Sequence, residues 1–173
     1  MVRSRVQSSV QSSVQSPPAS SVRGAALTLL GRRDYTASEL RTRLIDKGHD
    51  PGEVAEQIEL LTADGSINDQ RVAASHIRVA SQVKGRGRMR IRLELQARGI
   101  AKAIVESLLS EMPAEDEDAA IQKFLSRKRL PDRLDTHARN KVFQQLMRKG
   151  FTSDAISRAL RHQRVEHEPG HDE

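Results

Sequence analysis

Six cations fall between positions 84 and 98: Lys84, Arg86, Arg88, Arg90, Arg92 and Arg98, against one acid, Glu94. Guanidinium groups at this density grip phosphates and carboxylates, often through paired hydrogen bonds, and break no covalent bond by themselves. They are therefore candidate contacts to a polyanion or to an acidic protein surface. Other reactive groupings say less. His162, His167 and His171 are spaced by five and four residues, which suits a metal only if a helix runs through them; exposed, unliganded histidines are the plainer reading. Glu115-Asp116-Glu117-Asp118 has the composition of a cation site, yet acids at a helix start also complement the helix dipole. The sequence has no cysteine, no glycine loop followed by a Walker lysine and no His-Glu-x-x-His. It thus calls for no catalytic residue, no metal and no cofactor, and is expected not to be an enzyme.

The 173 residues carry a formal net charge of +6. A basic excess at this size favours nucleic acid or a nucleoprotein as partner. The four aromatic residues, Tyr35, Phe124, Phe143 and Phe151, are too few for a single-strand binder built on base stacking. Charge is also segregated along the chain. Residues 50–69 hold Asp50, Glu53, Glu56, Glu59, Asp64 and Asp69 and no Lys or Arg. Such separation favours oriented binding; the alternative is that the acidic and basic blocks face each other across an internal interface. No apolar run approaches the roughly 20 residues that span a bilayer, and the N-terminus lacks a signal-peptide core. A soluble, cytoplasmic monomer is expected, with no membrane partner.

What must position the arginines is a repeated helical unit. Around them, Met89, Ile91, Leu93 and Leu95 alternate with Arg90, Arg92 and Glu94, the period of a half-buried strand. A longer period overrides this. Lys47-Gly48, Arg98-Gly99 and Lys149-Gly150 recur at 51-residue intervals. Eight and four residues before each glycine stand Leu40 and Leu44, Ile91 and Leu95, Val142 and Leu146. Another helical pattern follows each glycine: Val54 with Ile58, Ile104 with Leu108, Ile156 with Leu160. Thr36-Ala37-Ser38-Glu39 reads as a capping box, and Asp50-Pro51 as an N-cap with proline at the first helical position. Asn68-Asp69 can cap a helix over about residues 70–83, and Leu130-Pro131 breaks the chain after a helix near 115–128. The middle copy should share the helical signature of its neighbours, because a fixed period near 50 residues marks a tandem array.

The expected class is all-α: an elongated tandem array of three helix-turn-helix-like repeats of three helices each. Residues 1–22, where Val-Gln-Ser-Ser recurs, form a disordered low-complexity tail. The repeats cover 23–66, 67–112 and 113–164, and 165–173 form a polar C-terminal tail. In each repeat the cation and glycine close the second helix, so the arginines lie on the second helix of the middle repeat. Cations in a first turn oppose the helix dipole, and a local rule broken repeatedly suggests a functional compensation. At 100° per residue, Arg88 and Arg92 share a row while Arg90 points away.

Four stretches, in order, resemble the RecX family of regulators of the RecA recombinase. They are Tyr35 to Leu40 through Lys47-Gly48; Leu61 to Ala73; Lys84-Gly85 through Glu94-Leu95 to Arg98-Gly99-Ile100; and Lys149-Gly150-Phe151 through Ile156. Val72 stands where the family usually has an aromatic residue, and Arg86-Gly87 departs from its usual residues after the glycine. The resemblance implies a curved array of three modules that binds along the groove of a RecA–DNA filament. It implies contact with single- or double-stranded DNA and a lowering of RecA ATPase, strand exchange and filament growth in recombination, DNA repair and the SOS response. The rival reading is a helix-turn-helix regulator acting on duplex DNA without RecA.

Overall fold

In the computed structural model the described residues are 21–128, 133–161 and 164–165. Most of the N-terminal tail, Leu130-Pro131, the three tail histidines and nearly all of the C-terminal tail lie outside them. Nine α-helices are present among the described residues: α1 (Val22–Leu30), α2 (Ala37–Asp46), α3 (Pro51–Ala63), α4 (Asp69–Arg78), α5 (Arg88–Ala97), α6 (Lys102–Ser110), α7 (Ala114–Arg127), α8 (Thr136–Arg148) and α9 (Ser153–Arg161). A π-helical turn, Val79–Val83, extends α4. Two residues of β1 (Arg133–Leu134) pair in parallel with β2 (Arg164–Val165), a minimal ladder that sequence periodicity does not announce.

The helices group in threes because each triplet buries its own apolar cluster. Leu40, Leu44, Val54, Ile58 and Leu61 centre the first, Val72, Ile91, Leu95 and Val105 the second, and Ile121, Leu146, Phe151, Ile156 and Leu160 the third. Three cores rather than one make the chain an elongated array of modules. Local signals set the helix starts. Thr36 Oγ1 accepts the Glu39 amide at 3.0 Å while Glu39 returns to the Thr36 amide at 3.2 Å, a complete capping box. Asp50, Asn68 and Asp135 cap α3, α4 and α8 through their side chains.

The second helix of every module ends in the same way. Gly48, Gly99 and Gly150 adopt φ of 89°, 78° and 85°. The next residue (His49, Ile100, Phe151) donates its amide at 3.2 Å to the carbonyl of Leu44, Leu95 or Leu146. That is one Schellman closure repeated three times, and it requires the left-handed conformation that glycine adopts without strain.

Two of these closures are also joints. Thr36 Oγ1 donates to the Arg98 carbonyl at 2.7 Å, and the Gly87 amide donates to the Lys149 carbonyl at 3.0 Å. The partners are 62 residues apart in both pairs, so equivalent positions meet at both module boundaries, through a side-chain hydroxyl at the first and a backbone amide at the second. The start of α2 rests on the end of α5, and the start of α5 rests on the end of α8. Opposite ends of helix dipoles meet at each joint. A Cβ on Gly150 would fall 2.4 Å from the Arg90 backbone nitrogen, and one on Gly99 would fall 2.3 Å from Ser38 Cβ. Glycine is therefore required twice over, for its φ and for the closeness of the neighbouring module.

Candidate functional site

Helix α5 carries the arginines, and its sequence alternation has a helical cause. Ile91 and Leu95 form one row, fully buried in the module core. Met89 and Leu93 form another, 46% and 59% exposed. Two apolar rows on opposite sides of a helix imitate the period of a strand. The outward row was hidden in the sequence, because alternation assigns all four residues to one buried face.

α5 has no side-chain N-cap, since Gly87 occupies that position. The third module supplies what is missing. Glu117 Oε1 lies 3.4 Å from the Arg88 amide, and Gly150 O accepts the Met89 amide at 2.9 Å. Glu117 is buried, beside exposed Glu115 and Asp116 and half-buried Asp118, and it also meets Thr152 Oγ1 at 3.5 Å. Its carboxylate, together with the α8 carbonyl end, is the compensation that tolerates cations in the first turn of α5.

The six cations take different roles. Arg88 turns inward and donates to the carbonyls of Leu109, in the last turn of α6, and of Met112 just beyond it, with Nε 3.5 Å from Glu117 Oε2. Arg92 makes a bidentate pair with Glu106, at 2.7 and 2.9 Å, within the same module. Arg98 makes a second bidentate pair with Glu39, at 2.8 and 3.0 Å, across the first joint. Arg86 and Arg90 both pair with Glu94, which also meets His76 Nε2 at 3.0 Å. Arg90 keeps 54% of its side chain exposed and Arg86 33%. Lys84 is exposed and makes no ion pair among the described residues. The structure thus brings Arg86 and Arg90 together at Glu94, and separates Arg88, Arg92 and Arg98 into packing roles.

These pairs perturb titration. Burial pushes the Glu94 carboxyl up, but hydrogen bonds from Arg86, Arg90 and His76 outweigh it and hold the group below its ordinary value. Glu39 behaves alike: burial raises it, and Arg98 with the Thr36 amide brings it net below the usual carboxylate range. The hydrogen bonds that Arg92 donates to Glu106 keep its guanidinium above the ordinary value.

The acidic block at 50–69 does not form ion pairs with the basic stretch among the described residues; Asp64 pairs with Arg23 at 3.3 Å. Asp69 accepts the Ala37 amide at 2.9 Å and so joins the first two modules. Glu53, Glu56 and Glu59 remain exposed on α3. Among the described residues there is no cluster of acids and histidines able to hold a metal, and no helix long and apolar enough to cross a membrane.

The surface that results is mixed: an apolar pair, Met89 and Leu93, beside Arg90, Arg86 and Lys84 on the middle module. Partners of Arg88, Arg92 and Arg98 lie 29, 14 and 59 residues away, so no local motif marks them.

Known proteins share this organisation. Family models match in chain order: the RecX first three-helix domain at residues 23–60, the second at 68–109 and the third at 115–160. The regulatory protein RecX of Halorhodospira halophila is 34% identical over 143 residues, covering 82% of this chain and 87% of that one. The regulatory protein RecX of Chromohalobacter salexigens is 33% identical over 140 residues, covering 81% of this chain and 91% of that one. The crystal structure of RecX from Lactobacillus salivarius superposes with a TM-score of 0.73 at 25% identity, covering 82% of this chain and 94% of that one. With all three of its modules matched in order and its joints built on the repeat that defines them, the chain belongs to the RecX family of regulatory proteins.

Proposed function

We propose that this protein binds RecA–DNA filaments as a monomer in the cytoplasm, without enzymatic activity of its own. By binding it lowers RecA ATPase, strand exchange and filament growth. The observation that carries this reading is the mixed outer face of α5. Met89 and Leu93 offer apolar contact to protein, while Arg90, Arg86 and Lys84 offer charge to phosphate or to acidic side chains. A filament presents both kinds of surface at once; bare DNA presents one. The exposed acids of α3 suit basic filament residues.

Anisotropy of a labelled oligonucleotide, bare or coated with RecA and a slowly hydrolysed ATP analogue, tests the preference. Tighter binding to the coated strand is expected. Equal affinity for the bare strand overturns the filament reading. The helix-turn-helix alternative draws on the tri-helical modules and a basic helix, and predicts a sequence-specific footprint on duplex DNA with no RecA present.

A further inference from the structure

A cavity of about 280 Å³ opens where the second and third modules meet, close to the lower end of small-molecule sites at ~300 Å³. Lys84 enters it from the end of the π-helical turn, Lys123, Phe124 and Arg127 from α7, and Lys149 from the end of α8. These cations contrast with the arginines of α5. Every arginine from Arg86 to Arg98 has a carboxylate partner, whereas Lys84, Lys123, Arg127 and Lys149 form no ion pair among the described residues. One acid, Asp116, shares the lining.

The apolar components are as uncommon as the charge. Phe124 is half-buried, and the ammonium groups of Lys128 and Lys149 sit 5.3 and 5.4 Å from its ring centroid. Val83, at the rim, is 76% exposed. It ends a π-helical turn, a departure from regular helix that recurs at functional positions. Gly85 follows with φ of 57° and open space where a Cβ would stand.

A ring, an exposed aliphatic side chain and four cations without an ion pair among the described residues, around one space of about 280 Å³, form a defined chemical complement. We propose that this cavity binds a phosphorylated nucleoside, its base against Phe124 and Val83 and its phosphates on Lys84, Lys123, Arg127 and Lys149. The source is either a nucleotide of single-stranded DNA or a free nucleoside triphosphate. Apart from Lys84, which borders both, this site uses other residues than the outer face of α5, and it does not depend on RecA.

The test uses the full chain without RecA. Binding of a short fluorescein-labelled oligo(dT) and of ATP is titrated for the parent, the double variant K123Q/R127Q and F124L. The double variant alters exposed side chains only, so it stays folded. It should bind about tenfold more weakly, and its log K against log salt slope for oligo(dT) should flatten by about 1.4 for two lost phosphate contacts. F124L, with its fold checked by thermal melting, should lose about tenfold through the missing stack. ATP that displaces the oligonucleotide assigns the cavity to free nucleotides; failure to displace it assigns the cavity to the single strand. If neither probe binds, or K123Q/R127Q titrates like the parent, the site is overturned; an F124L titration like the parent's overturns the base contact. RecA is absent throughout, so failure here leaves the filament reading intact, and failure of that reading leaves this result intact.

Discussion

The Gly87 amide donates to the Lys149 carbonyl at 3.0 Å, binding the start of the arginine-bearing helix to the closing turn of the next module. Gly150, one residue on, must remain glycine for this contact to form. Gly150→Ala should lose about 2–5 kcal/mol, combining ~1–2 kcal/mol for a left-handed non-glycine residue with ~1–3 kcal/mol for the clash with Arg90. Gly65→Ala provides the comparison: φ is 77° but nothing lies within 4 Å of the new Cβ, so only the ~1–2 kcal/mol of the left-handed conformation is expected. Urea melts of the two variants measure the difference; equal losses would show that the joint adds nothing.

Arg88 fastens the second module to the third. Its guanidinium spans two carbonyls near the end of α6 and approaches Glu117 of the third module. A single ammonium cannot reproduce that fork, so Arg88→Lys should destabilise the protein by about 2–3 kcal/mol. The same urea titration reads it, and a wild-type midpoint for Arg88→Lys contradicts the assignment.

Arg90 should behave in the opposite way. It is 54% exposed, and its pair with Glu94 is shared with Arg86. Arg90→Ala should change stability by no more than about 0.5 kcal/mol, as for an exposed ion pair. Combined with Leu93→Ser, it should weaken filament binding at least about tenfold and reduce its salt dependence. Unaltered affinity of that double variant would remove the outer face of α5 from the interface.

How far the sequence goes is visible in these residues. The capping box at Thr36, the caps at Asp50 and Asn68 and the three closing glycines are local chemistry, and each is built where its residue types required. The three-module helical array follows from them. The partners of Arg88, Arg92 and Arg98 were not legible, because Glu117, Glu106 and Glu39 reach them only through packing. Glu117 shows the limit most clearly: in the sequence it is one of four acids at a helix start, and in the structure it caps a helix of another module. The alternation from Met89 to Leu95 could be resolved only by the 51-residue repeat, since two rows of a helix and one face of a strand share that pattern.

Acid should loosen the array at identifiable points. Glu94 and Glu39 are held below their ordinary value of 4.5 in the folded protein. Folded values below unfolded ones give stability that is complete above about pH 4.5 and is lost as pH falls through the folded values. Urea stability measured downward from pH 6 should decline below pH ~4.5, and Glu94→Gln should flatten that decline while lowering stability at neutral pH. A Glu94→Gln curve parallel to the parent's would contradict the pairing with Arg86 and Arg90.

We propose that the jointed array, with its mixed outer face, acts on the RecA–DNA filament. RecA ATPase on single-stranded DNA, titrated with this protein, tests it most directly. Inhibition that is well advanced at less than one molecule per RecA is the predicted result. ATP hydrolysis that stays unchanged, or falls only when this protein is present in enough excess to sequester the DNA, would contradict it.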